Sequence, residues 1–219
     1  RVCLGALLVA CVVPAAFGAK PSMEELFWQR SWGAIDQRVA QEGSYLSLSD
    51  VTFAANALWI QKRYGDAVAL LAPRRHALPP EVRSYADLML VLGYERTNRK
   101  AQALKLGMDL WPRTPDAVRY YVAYALARLQ RDEGHVTEAR NWFRRMAESA
   151  EDASSRLPAL QALMELPGAT AADALRVLED QPLNARALEI LKKDKNPSAR
   201  TWLALGYAAG QGAPGLVVA

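Results

Sequence analysis

Three stretches of this chain, YGDAVALL, RKAQALKL and VTEARNWF, align without gaps on Ala67, Ala103 and Ala139, so the sequence repeats itself every 36 residues. That period constrains the fold more than any other feature. Repeats of this length are single supersecondary units that cannot bury an apolar face alone, so neighbours must stack to share a core. Upstream of each alanine lies an apolar stretch at helical spacing, roughly residues 48–61, 80–96 and 115–131. Polar turns containing Gly65, Asn98 and Gly134 separate each pair of helices. Small alanines at a fixed register let two helices approach closely, and Leu71 and Phe143 fill the gap one turn later.

Helix starts are marked by capping chemistry. Ser22 with Glu25 forms a capping box that opens one long helix carrying Trp28 and Trp32 on a shared face, with Gly43 as its stop. Ser47 with Asp50 opens the next helix. Pro80 and Pro115 suit a first helical turn, where a missing N–H costs nothing, with Thr114 as the N-cap before Pro115. Further on, Thr170 caps the second helix of a degenerate hairpin, Asn184 starts a short helix, and Asn196–Pro197 caps and opens the last one. Strand signals are nearly absent. The reading is an all-α, right-handed solenoid of stacked antiparallel helical hairpins. It divides into an export signal (1–19), a capping helix (20–47), three hairpins (48–153), a degenerate hairpin plus a short helix (154–195), and the start of an incomplete further repeat (196–219). Trp202, Leu203 and Leu205 make an apolar face there that wants a partner helix, before a Gly- and Pro-rich tail.

The first 22 residues, RVCLGALLVACVVPAAFGAKPS, have a basic start, a short apolar run, Pro14, and small residues at Ala16, Gly18 and Ala19. This is the layout of a secretory signal, cut after Gly18 or Ala19. LLVAC also resembles a bacterial lipobox, with Cys11 as the lipidated residue, which would place the chain on a membrane. A third reading is a buried N-terminal helix of a cytosolic protein. The chain has two cysteines, Cys3 and Cys11, so the body holds neither a disulfide nor a thiolate metal site. The apolar fraction of 51% supports a packed core, and a net charge of +4, spread along the chain, gives no nucleic-acid footprint. The Lys192, Lys193 and Lys195 cluster reads as a solvated helix end.

The helical body resembles the tetratricopeptide repeat (TPR) family. The resemblance rests on the small residues Ala55 and Ala127 of first helices, Tyr64 and Tyr94 near the turns, the three spaced alanines, Pro79 and Pro115 closing repeats, and WLALG at 202–206. The period is longer than the family's usual ~34 residues, and Val91 and Gly107 replace an expected small and an expected bulky residue. The resemblance implies that first helices line a concave binding face whose groove positions are Asn56, Trp59, Tyr85, Arg96, Tyr121, Tyr124, Arg128 and Arg131. Aromatic residues and arginines dominate interface energetics, and an asparagine amide can hold an extended peptide backbone. The implied partner is a protein or peptide.

No catalytic pattern, phosphate loop or metal-spaced cluster stands out, and no cofactor is expected. His76 and His135 lie in connections without ligand partners at helical spacing. Glu148–Ser149 resembles the dipeptide around the catalytic acid of lytic transglycosylases, but Glu148 sits in a polar stretch beside Glu151 and Asp152, without the apolar pocket that chemistry needs. Two functions follow. One is a non-catalytic scaffold in the bacterial envelope. The other is the superhelical part of a soluble lytic transglycosylase, which would bring peptidoglycan in as a partner and leave the catalytic domain outside this chain.

Overall fold

A computed structural model describes residues 20–212. The export signal expected over residues 1–19, with Cys11, therefore lies outside the described residues, as do residues 213–219. Every regular element among the described residues is helical. The α helices are α1 (Met23–Trp28), α2 (Trp32–Glu42), α3 (Leu48–Ile60), α4 (Tyr64–Leu71), α5 (Pro80–Arg96), α6 (Lys100–Leu110), α7 (Asp116–Asp132), α8 (Val136–Glu148), α9 (Ala153–Glu165), α10 (Ala171–Asp180), α11 (Ala185–Lys192) and α12 (Ala199–Gly210). Consecutive helices pack against one another along the chain, and α5 also packs on α7. The all-α solenoid of helical hairpins is the observed architecture.

The turn within each hairpin repeats with the sequence period. Lys62, Asn98 and Gly134 take φ values of 62°, 58° and 80°. Each is followed by a residue whose N–H closes back on the helix just ended: Arg63 to the Leu58 carbonyl (2.9 Å), Arg99 to Tyr94 (2.7 Å) and His135 to Gln130 (2.9 Å). A left-handed residue cannot continue a right-handed helix, and this bond satisfies a carbonyl the helix end would leave orphaned. Gly65, expected in the first of these turns, lies inside α4; Lys62 takes the left-handed position instead. The same turn occurs once more upstream. Arg30 has φ 54°, and the Ser31 N–H bonds the Leu26 carbonyl at 2.9 Å. The single helix expected over 22–43 is therefore two, α1 and α2. Trp28 and Trp32 do not share a face; Trp28 is 65% exposed, and Phe27 is the hub, with ring centroids 5.3 Å from Trp28, 5.8 Å from Trp32 and 5.6 Å from Phe53.

Most caps follow local sequence. Ser22 and Glu25 exchange both bonds of a capping box, Ser47 accepts from the Asp50 N–H, Thr170 and Asp173 form a second box, and Asn184 accepts from the Ala187 N–H. Two do not. Thr114 is buried and its hydroxyl donates to the Leu110 carbonyl at 2.9 Å, closing the preceding helix, while Pro115 stands at the N-cap of α7. Ser198, not Asn196, caps α12. Of the apolar face expected there, Leu205 is buried, whereas Trp202 and Leu203 remain exposed.

Ala67, Ala103 and Ala139 are buried at the hairpin crossings. One turn later the equivalent position is Leu71, Gly107 or Phe143. A Cβ on Gly107 would come within 2.8 Å of Leu126 Cδ2, so this glycine exists to admit a side chain of α7. Two buried carboxylates tie hairpins together. Asp87 of α5, fully buried, contacts Arg75 at 2.8 Å and Arg113 at 3.2 Å, each in the 3-10 segment that leaves a second helix. Asp173 of α10 accepts from Arg140 (2.7 Å) and Arg144 (2.9 Å) of α8 and from the Thr170 hydroxyl (2.7 Å). Burial opposes ionisation of Asp173, but the bonds from Arg144, Thr170 and Arg140 outweigh it and hold the carboxyl well below the usual carboxylate range.

Candidate functional site

The eight positions expected to line a groove fall into three settings. Asn56 and Tyr85 border a small hollow between α3 and α5, about 80 Å³, with Leu71 and Met89. The Asn56 amide N–H is spent on the Thr52 carbonyl of its own helix at 2.8 Å. Trp59 and Arg96 meet a common ring: Trp59 packs edge-on against Tyr64 (4.8 Å), and the exposed Arg96 guanidinium lies 5.8 Å from the same Tyr64 ring. These contacts hold the ends of α3 and α5 around the turn, and neither residue lines a cavity described here.

The remaining four, Tyr121, Tyr124, Arg128 and Arg131, come together between α7 and α9. Here the space between first helices opens into two adjoining cavities that share Pro158. The first, about 540 Å³, lies at the N-terminal ends of α7 and α9 and is lined by Asp116, Ala117, Tyr120, Tyr121, Ser149, Ala150, Glu151, Ser154 and Ser155. The second, about 370 Å³, continues towards their C-terminal ends, where Tyr124, Arg128 and Arg131 face Gln161, Ala162 and Glu165 over a floor of Phe143. Seventeen residues of α7 at ~1.5 Å rise give a trough of roughly 25 Å, long enough for an extended segment of about seven residues.

The two ends differ in charge. At the C-terminal end the arginines are already engaged. Arg128 pairs with Glu95 at 2.8 Å and lies over the Tyr124 ring at 5.3 Å, and Arg131 pairs with Asp132 at 3.0 Å. At the N-terminal end Tyr120 and Tyr121 meet edge to face at 5.3 Å, and Tyr121 is 47% exposed. Burial, then the neighbouring Tyr121 and Tyr124, push the Tyr120 hydroxyl up, so it stays neutral and can both donate and accept at neutral pH. Tyr120, Glu151, Gln161 and Glu165 were not marked as groove residues by the repeat pattern. Tyr120 was discoverable as the neighbour of Tyr121, whereas the α9 residues belong to the hairpin where the repeat pattern is weakest.

Glu148 is 60% exposed and lies 3.6 Å from Arg176, so it carries no buried acid of the kind glycoside cleavage requires. Among the described residues no three His, Cys, Asp or Glu side chains converge on a point that could hold a metal. No helix among them is long and apolar enough to cross a membrane.

Two solved structures share the fold. A point variant of a Podosopora anserina protein, described as a kinesin light chain with nearly identical TPR-like repeats, superposes with a TM-score of 0.51 over 86% of this chain and 93% of that one, at 16% identity. A second structure described in the same terms, without the substitution, superposes with a TM-score of 0.50 over 84% and 92%, also at 16% identity. The fold is thus that of a TPR-like helical repeat solenoid. No family model matches the sequence, and no curated protein does.

Proposed function

We propose that this chain is a non-catalytic, exported TPR-like scaffold of the bacterial cell envelope that holds a protein or peptide partner along the α7–α9 trough. The observation that carries the reading is the trough itself: an open groove between first helices, lined by three tyrosines and two arginines whose positions are fixed by ion pairs and ring contacts. Preorganised aromatic and arginine side chains lose little conformational entropy on binding, so they supply affinity without reorganisation. Export is supported by the pattern of residues 1–19, with lipidation at Cys11 as the route to a membrane.

Two measurements test this. A photo-crosslinking amino acid placed at Tyr121 in cells should give a discrete adduct, while the same group at Met108, an exposed position on the second helix α6, should give none. Adducts equally at both positions, or at neither, would remove the trough as the partner site. For export, the intact mass of the cellular protein should begin near Lys20, or at a lipid-modified Cys11; retention of residues 1–19 unmodified would refute it.

A further inference from the structure

We infer that the N-terminal end of the α7–α9 trough is built to take a cation, the side chain of a lysine or arginine in the bound segment; this rests on the trough being the partner site. The groups that line it are acceptors. Asp116 and Glu151 bring carboxylates, Tyr120 and Tyr121 bring hydroxyls and ring faces, and no Lys, Arg or His lines this cavity. Ser149 and Ala150 lie where α8 ends, the negative pole of that helix. Pro158 adds a further acceptor. Lacking an N–H, it cannot donate to the carbonyl of Ser154 one turn before it, and both residues line the cavity.

The positive pole of α9 also opens here, and the Asp152 carboxylate caps it. The Asp152 carboxylate accepts from the Ser155 N–H at 2.7 Å and the Ser154 hydroxyl at 2.8 Å. The Ser155 bond is the foremost reason its carboxyl sits below the ordinary value. An anionic ligand would therefore meet the carboxylates of Asp152, Asp116 and Glu151. Arg119 touches Asp116, whose side chain is 96% exposed, at 3.4 Å and donates to the Thr114 carbonyl at 3.2 Å, so it answers that carboxylate and leaves Glu151 as the cavity's own charge. An aliphatic stem against the tyrosines and a charged tip at Glu151 suit a lysine or arginine better than a neutral or acidic side chain.

The test is selection of a random dodecapeptide library on the full chain. Trough binders are those lost when Ala117→Trp and Gln161→Trp, both at exposed lining positions, fill the groove. The expected trough binders carry a lysine or arginine. Replacing that residue by norleucine or citrulline, or introducing Glu151→Lys in the protein, should each weaken binding by about tenfold. Thermal melting of the variants should match the parent, since these side chains are exposed. Trough binders without a basic residue, or indifferent to Glu151→Lys, would overturn the cation inference and leave the trough reading standing. Binders insensitive to the filled trough, or no binders at all, would overturn the trough reading and the inference with it.

Discussion

The hairpin crossings at residues 71, 107 and 143 occupy one position of the repeat and do three different things. Leu71 leaves a shallow hollow of about 80 Å³ between α3 and α5. Gly107 lets Leu126 sink into its helix, and α5 and α7 close on each other. Phe143, buried, floors the cavity of about 370 Å³ between α7 and α9, which adjoins the one of about 540 Å³. The same repeat position thus meets three different surroundings between first helices. In a solenoid each unit contacts only its neighbours, so a local change in volume alters the local opening and leaves the rest of the stack in register.

That comparison can be broken most directly at its bulky end. Phe143→Ala removes a fully buried ring and should cost about 3–5 kcal/mol; chemical denaturation would measure it, and a trough still able to bind its partner in that variant would refute the role of Phe143 as its floor. Next comes the pair of buried carboxylates. Asp173→Ala leaves Arg140 in a buried site without its carboxylate, held only by the Pro167 and Gly168 carbonyls, and Asp87→Ala takes the carboxylate from Arg75; each should cost about 3 kcal/mol. If Asp87→Ala were neutral, the connections after α4 and α6 would be held by packing alone. Gly107→Ala tests the closed crossing: the new methyl meets Leu126, so a loss of about 1–3 kcal/mol is expected, and the double variant with Leu126→Ala should lose less than the sum of the two single variants.

Acid should separate the two halves. The Asp173 carboxyl is held below its unfolded value, so its contribution is complete above the ordinary carboxylate pKa of about 3.9 and fades as pH falls below it. A stability profile from about pH 5 down to about pH 2 should therefore fall more steeply for the parent than for Asp173→Asn. The smallest effect lies at the turns. Lys62→Gly relieves a left-handed lysine and should stabilise by up to about 1 kcal/mol, whereas Gly134→Lys should cost a similar amount; equal and negligible effects at both would mean the turns do not constrain the hairpins.

The sequence by itself determined the repeat, the helical class and most of the helix starts. These rest on interactions within a few residues of one another: Ser22 with Glu25, Ser47 with Asp50, Thr170 with Asp173, and alanines at a constant 36-residue interval. It located half of the trough, because Tyr121, Tyr124, Arg128 and Arg131 all sit on one strongly patterned helix. Only the tertiary structure decided the rest. Arg30 and Lys62 adopt left-handed turns at a cost of about 1 kcal/mol each, which packing on both sides offsets and no local preference announces. Trp59 and Arg96 look like groove residues in the repeat pattern, yet both meet the Tyr64 ring beside the turn, Trp59 half-buried and Arg96 exposed. The floor of the trough's C-terminal part is Phe143, on α8 and on neither of the two helices that wall it, and which side chains meet across elements is fixed only in the assembled core.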